Sequence, residues 1–167
     1  MKKPLLLTGV IFGAFITLSA QTIVSTAPSN KNVILEELTG IHCGYCPDGH
    51  KRANDLANAN PGRFFQINIH AGGYATPGAG EPDFRTSHGN AIDAQADPSG
   101  YPAGSINRRV FAASDNNTAM GRGDWAASAN TVLAESSPAN IAATAEIDAT
   151  TRVLTVYVEV YYTSNSP

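Results

Sequence analysis

The chain has no second pair of cysteines. Its 167 residues hold two, Cys43 and Cys46, so a zinc knuckle built from four thiolates is excluded. After the first twenty residues it has no long apolar run, and a spanning helix needs about 20 such residues. It has one convincingly alternating strand pair, whereas the smallest membrane barrels need about eight strands. It has no excess of positive charge: 11 Lys and Arg stand against 14 Asp and Glu, a net of −3. That argues against nucleic acid as a partner, because phosphate binding wants a basic face. It argues weakly against an anionic membrane surface as well. The glycines of 72–80 and 121–123 do not follow a strand with G-x-G-x-x-G spacing, so no nucleotide site is implied. No internal repeat is present.

What is there begins with a targeting segment. Lys2 and Lys3 form a basic start, Leu5 to Leu18 is apolar, and Leu18-Ser19-Ala20 offers a small residue ahead of Gln21. This reads as a secretory signal peptide over 1–20. A membrane anchor is the competing reading, but about 14 apolar residues fall short of a span. No cysteine follows the cut site, so it is not a lipoprotein signal. The style is bacterial, which implies export across the inner membrane to the periplasm or the outer membrane. Without Lys2 and Lys3 the chain keeps 9 basic against 14 acidic residues, a net of −5. Residues 21–32, rich in Ser, Thr, Asn and Pro, read as a flexible leader.

The informative stretch is Thr39-Gly40-Ile41-His42-Cys43-Gly44-Tyr45-Cys46-Pro47. The apolar run Val33 to Leu38 before it reads as a buried strand. Pro47 to Ala57 after it reads as a helix, with Pro in the first turn and apolar residues at 53, 56 and 57. Thiol–disulfide chemistry needs this arrangement. A helix N-terminus offers free N–H groups and a positive dipole end, which stabilise a thiolate on the first cysteine. The second cysteine lies one turn on, close enough to close a small ring.

Asn60-Pro61-Gly62 ends that helix, and Arg63 to His70 is the next strand, with Phe65, Ile67 and Ile69 on one face. The two strands are expected to be parallel with a right-handed crossover. A Gly, Pro and Ala loop covers 71–82. Asp83 is then expected to cap a helix from Phe84 to about Ala96, with Phe84, His88, Ala91, Ile92 and Gln95 on one side. After Asp97-Pro98-Ser99-Gly100 comes Tyr101-Pro102 and a strand from Ser105 to Phe111. A proline in such a place is restricted and open to the cis form. Residues 112–121 read as a polar loop. Asp124 caps a helix to about Glu135, with Trp125, Ala129, Val132 and Leu133 inward. Ile141, Ala143, Ala145 and Ile147, then Leu154, Val156, Val158, Val160 and Tyr162, alternate as a hairpin. A lone hairpin is marginal in water, so it is expected to open a β-sandwich that continues past Pro167.

Several residues carry competing readings. The Cys43–Cys46 pair could be half of a zinc site completed by His50, at Cys-x-x-Cys-x-x-x-His spacing, with His42, His70 or His88. It could also be a purely structural disulfide, although so small a ring constrains the unfolded chain little. Haem attachment is excluded, because Pro47 and not His follows Cys46. Glu37 lies six residues before Cys43. If buried it would have a raised pKa and could relay a proton for the second cysteine. Otherwise it is an ordinary ion-paired glutamate, since Glu36 is its neighbour and one of the two must face outward. His42 could stabilise the Cys43 thiolate or simply be solvated. His88, on an apolar helix side, reads as a hydrogen-bonded core residue. Arg122-Gly123-Asp124 spells a cell-adhesion tripeptide, but a helix cap is a sufficient account.

Strand, Cys-x-x-Cys helix, strand, helix, proline-led strand and closing helix together resemble the thioredoxin order over residues 33–136. Gly44-Tyr45 between the cysteines is similar to the bacterial periplasmic disulfide isomerases. Glu37 matches the buried acid of thioredoxins in its offset. Tyr101-Pro102 sits where they carry a cis-proline that faces the cysteine pair, excludes a metal and presents backbone groups to the substrate. A narrower resemblance rests on five blocks: Glu37-Leu38-Thr39-Gly40, His42-Cys43-Gly44-Tyr45-Cys46-Pro47, Asn68-Ile69-His70-Ala71-Gly72, Asp83-Phe84-Arg85-Thr86 and Gly100-Tyr101-Pro102-Ala103-Gly104. These look like the 28-kDa outer membrane protein family of Bacteroidetes, whose members are secreted, thioredoxin-like and followed by a β-sandwich.

The expectation is therefore an α/β chain. Residues 1–20 are the signal peptide and 21–32 the leader. A thioredoxin-like fold covers 33–137, and 138–167 is the first hairpin of a truncated β-sandwich. The expected function is a secreted thiol–disulfide oxidoreductase, acting as reductase, oxidase or isomerase. Cys43 attacks, Cys46 resolves, and Glu37 and Pro102 assist. No cofactor and no metal are implied. The partners implied are protein thiols or disulfides and a second redox protein. The competing function is an outer-membrane-associated surface or binding protein that uses the scaffold without redox turnover.

Overall fold

The computed structural model describes residues 22–165. The signal peptide expected at 1–20 lies outside the described residues. Among those described, no helix is long and apolar enough to cross a membrane.

The central strand β1 (Val33–Thr39) is buried at every position but Ile34, its two glutamates included. It pairs in parallel with β2 (Phe64–His70), in register from Val33 with Phe64 to Thr39 with His70. The crossover between them is helix α1 (Cys46–Ala59). On its other edge β1 pairs antiparallel with β3 (Ala103–Ile106), and β3 pairs antiparallel with β4 (Ala119–Gly121). The sheet order is β2-β1-β3-β4. Helix α2 (Ser87–Ala96) precedes β3, and helix α3 (Trp125–Ala134) follows β4. A parallel strand–helix–strand unit, joined through a helix to an antiparallel hairpin and closed by a third helix, is the thioredoxin-like fold.

Side chains alternate across β1, and each side builds its own core. Val33 and Leu35 pack with Ala53, Phe64, Ile106, Met120, Trp125, Ala129 and Val132, under α1 and α3. Leu38 packs with Ile69, Ala71, Ala96, Ala103 and Ala119, under α2. The second face is covered only near the C-terminal end of β1. Phe65 and Ile67 share a face with Ile69, as expected, but are 45% and 50% exposed. The phenylalanine of this strand that enters the core is Phe64.

Three other boundaries differ from the sequence expectation. Helix α2 starts at Ser87, not Phe84, because Thr86 caps it: its Oγ1 accepts from Gly89 N at 2.8 Å. Asp83 instead accepts from the backbone and guanidinium of Arg85, which draws its carboxyl down to about 2. The buried residues of α2 are Gly89 and Ala96, and His88 is exposed rather than in the core. Strand β3 ends at Ile106 because Asn107 and Arg108 are both left-handed, at φ +49° each. Asn107 then takes over the edge with its side chain, accepting from Ile34 N and donating to Asn32 O. Strand β4 lies in the stretch read as a polar loop.

The hairpin forms as expected. β5 (Ala139–Ile147) and β6 (Leu154–Tyr162) pair Ile141 with Val160, Ala143 with Val158, Ala145 with Val156 and Ile147 with Leu154. Its aliphatic face is exposed, with Ile141 at 72% and Val158 at 56%. Residues 22–32 run between the hairpin and the main sheet. Ile23 N and Val24 N donate to Glu159, Asn140 donates to the carbonyls of Ser25 and Ala27, and Asn30 bridges to Ser136.

Candidate active site

The site begins where β1 ends. The chain turns at Gly40, with Cys43 N donating to Gly40 O at 3.1 Å and His42 N donating to Tyr74 O at 2.9 Å. Cys46 N donates back to Cys43 O at 3.2 Å, and α1 starts at Cys46 itself. Pro47 in the first turn suits this start, because its missing N–H would be unpaired there in any case. Cys43 and Cys46 are joined as a disulfide, with Cα atoms 5.4 Å apart. Cys43 retains 7% exposure and Cys46 1%, so the first cysteine is the one nearer solvent. Tyr45, between them, is 70% exposed.

Behind the pair lies a buried acid. Cys46, Gly49 and Ala53 are the buried residues of α1, set at the spacing that puts them on one helix face. A Cβ on residue 49 would meet Glu37 Oε1 at 2.7 Å and the Pro102 ring at 3.0 Å. The Glu37 carboxyl and Pro102 therefore converge on the same point of α1, one turn after Cys46. Glu37 is fully buried, and Pro102 follows Tyr101 through a cis peptide bond. Of the two adjacent glutamates, Glu37 is the inward one. Glu36 lies on the opposite face of the sheet, where Arg108 holds it through Nε at 2.8 Å and a second nitrogen at 2.5 Å.

Beside Glu37 stands His50 of α1, whose Nδ1 lies 3.1 Å from Oε2. The approach lies off the hydrogen-bond line, so among the described residues neither carboxyl oxygen accepts a directed hydrogen bond. Burial pushes the Glu37 pKa up, and the His50 ring pulls it partly back. The other ring nitrogen of His50 lies 3.3 Å from Thr39 Oγ1. His70, at the end of β2, is held below the usual imidazole value, first by desolvation and then by the His50 charge. Its ring packs against Phe84 at 5.1 Å.

The rim is polar and aromatic. His42, considered for the Cys43 thiolate, is paired with Glu81 at 2.8 Å in an exposed contact. Gly78 N and then His42 hold the Glu81 carboxyl below its usual range. Asp48 joins Arg122 and Arg52, and the Arg122 guanidinium lies 5.6 Å from the Tyr45 ring centre. This accounts for the arginine of Arg122-Gly123-Asp124; Asp124 occupies the N-cap position of α3, but its side chain makes no capping hydrogen bond, contrary to the expectation that it caps the helix. Tyr101 donates to Asp93 of α2. The four histidines considered for zinc do not gather: among the described residues no three His, Cys, Asp or Glu side chains form a metal-binding group.

The structure thus places all four expected site residues, Cys43, Cys46, Glu37 and Pro102, at one end of β1 and α1. Sequence reasoning tied His50 to the cysteines only as a zinc ligand; the structure sets it against Glu37 instead. The signal was available, because His50 is four residues after Cys46 and shares its helix side.

No protein-family model matches the chain. No curated protein matches it at a significant level. Among solved structures, HBP35 of Porphyromonas gingivalis aligns with a TM-score of 0.49 and 21% identity, over 70% of this chain and 38% of that one. The chain thus spans well under two thirds of that structure's length.

Proposed function

We propose that the chain is a secreted thiol–disulfide oxidoreductase of the 28-kDa outer membrane protein type, acting in the periplasm or at the outer membrane through Cys43 and Cys46. The observation that carries this reading is a Cys-x-x-Cys pair at a helix start, backed by a fully buried carboxyl one helical turn behind the second cysteine. A disulfide used only for stability has no need of that carboxyl, whose burial opposes its ionisation.

In the reducing direction the steps are as follows. The Cys43 thiolate, favoured by the helix N-terminus, attacks one sulfur of a substrate protein disulfide. A Cys43–substrate disulfide forms, and the other substrate sulfur leaves as a thiolate. Cys46 then gives its proton to the Glu37 carboxylate and attacks Cys43 Sγ. The Cys43–substrate bond breaks, the substrate leaves as its second thiolate, and the Cys43–Cys46 disulfide closes. The substrate has gained two electrons and the cysteine pair has lost them. Pro102, packed beside the Glu37 carboxyl, borders the surface on which the substrate chain lies. Run backwards, the same steps donate a disulfide, and the potential of the pair against its partner sets the direction.

The second reading is a surface or binding protein on the same scaffold. It is favoured by the aliphatic hairpin face, where Ile141, Leu154 and Val158 are more than half exposed. A pair of single substitutions separates the two. Cys46→Ser should trap covalent mixed disulfides through Cys43, and Cys43→Ser should trap almost none. Equal trapping by both variants, or tight stoichiometric zinc in the unmodified protein, would overturn the redox assignment.

A further inference from the structure

Glu37 is sealed from solvent, yet a relay must return its proton to water once per turnover. Among the described residues, the ionisable side chain paired with the carboxyl is His50, 3.1 Å away. Its own side chain is 35% exposed. The ring therefore spans from the buried carboxyl to the surface. Thr39 Oγ1, 3.3 Å from the second ring nitrogen, fixes the ring orientation from β1. The titratable groups around the ring are Glu37 from β1 and His70 from β2, with Cys46 one turn earlier on its own helix.

We propose that His50 is the positioning residue through which Glu37 exchanges its proton with solvent during resolution by Cys46. The inference rests on the redox reading above. As Cys46 forms its bond to Cys43, its proton passes to the Glu37 carboxylate. The neutral ring takes that proton from Glu37 at Nδ1, and Nε2 gives up its own proton to water. Imidazole suits this task because it accepts and releases protons between about pH 5 and 8. His50 also acts on the acid itself. When the ring carries the proton, its charge favours the Glu37 carboxylate, so its loss leaves burial unopposed and moves Glu37 further toward the protonated form. A protonated Glu37 cannot accept the Cys46 proton.

The test is a single turnover of the reduced full chain with Ellman's reagent, an aromatic disulfide. Attack by Cys43 releases one aryl thiolate, and resolution by Cys46 releases the second. The second release, followed against pH, reports the step in question. His50→Ala and His50→Gln should slow it about tenfold near pH 7, below the range for direct acid–base groups. Both should displace its rise with pH to higher pH. Added imidazole should restore the rate of His50→Ala, which a merely structural role for the ring would not allow. His50→Gln keeps the ring's approximate volume and polarity, so it stays informative if the alanine variant folds poorly. Unchanged rate and pH profile in a folded variant would overturn the proposal while leaving the redox pair standing. Absence of a second release in the unsubstituted protein would overturn the redox reading and this proposal with it.

Discussion

Gly49 and Glu37 share one space: a Cβ on residue 49 would lie 2.7 Å from the Glu37 Oε1 atom. Helix propensity alone makes Gly→Ala stabilising by about 1 kcal/mol in a helix interior. Here overpacking opposes it, at about 1–3 kcal/mol, because the Pro102 ring blocks the other side at 3.0 Å. Gly49→Ala should therefore lower stability by up to about 2 kcal/mol in denaturant titration. It should also slow the second thiolate release, since Glu37 must move. A variant that is more stable than the parent, with resolution unaltered, would show that the carboxyl does not sit against α1.

The pH dependence of stability follows from Glu37. Its native pKa is raised above the ordinary 4.5, with burial the leading cause. Below 4.5 the group is protonated in both states and brings no pH-linked penalty. As the pH rises toward the native value, the unfolded chain ionises first and stability falls. Glu37→Gln removes this penalty. Thermal melts of the oxidised protein should show the variant gaining on the parent from pH 4 to pH 7. A gap that narrows as the pH rises would contradict the sign.

Arg108 is the partner of Glu36: from the left-handed turn at Asn107 and Arg108 its guanidinium meets the carboxylate. Removing the cation leaves a carboxylate that is 8% exposed in its side chain. Arg108→Ala should cost about 1–3 kcal/mol, toward the low end because the guanidinium itself is half exposed and screened. Adding Glu36→Gln should recover part of that loss. If the single variant costs nothing, water alone satisfies Glu36.

The strand–helix–strand start and the terminal hairpin were legible because period and punctuation agree there. Val33-Ile34-Leu35 and Leu38 mark a strand, Pro47 marks a helix start and Asn60-Pro61-Gly62 its end. Strand β4 was not legible. Ala119 and Met120 are fully buried, but three residues between polar neighbours carry no periodicity. Phe65 and Ile67 alternate as a core face should, and are exposed because α2 reaches only Ile69. The start of α2 turned on whether Thr86 or Asp83 caps, which is decided by Arg85 occupying Asp83. At the site, Cys43, Cys46, Glu37 and Pro102 could be read from spacing and resemblance. The ties of His42 to Glu81 and of Arg122 to Asp48 could not, since they join segments far apart in sequence.

Glu36 and Glu37 are adjacent in the chain and belong to opposite sides of the sheet. One neutralises an arginine on the open face; the other backs the cysteine pair among α1, His50 and Pro102. The peptide layer of β1 acts as a partition between them. Changes at 36 and 37 should then combine additively, and the stability of the scaffold can be adjusted through the outer carboxylate without retuning the chemistry of the inner one.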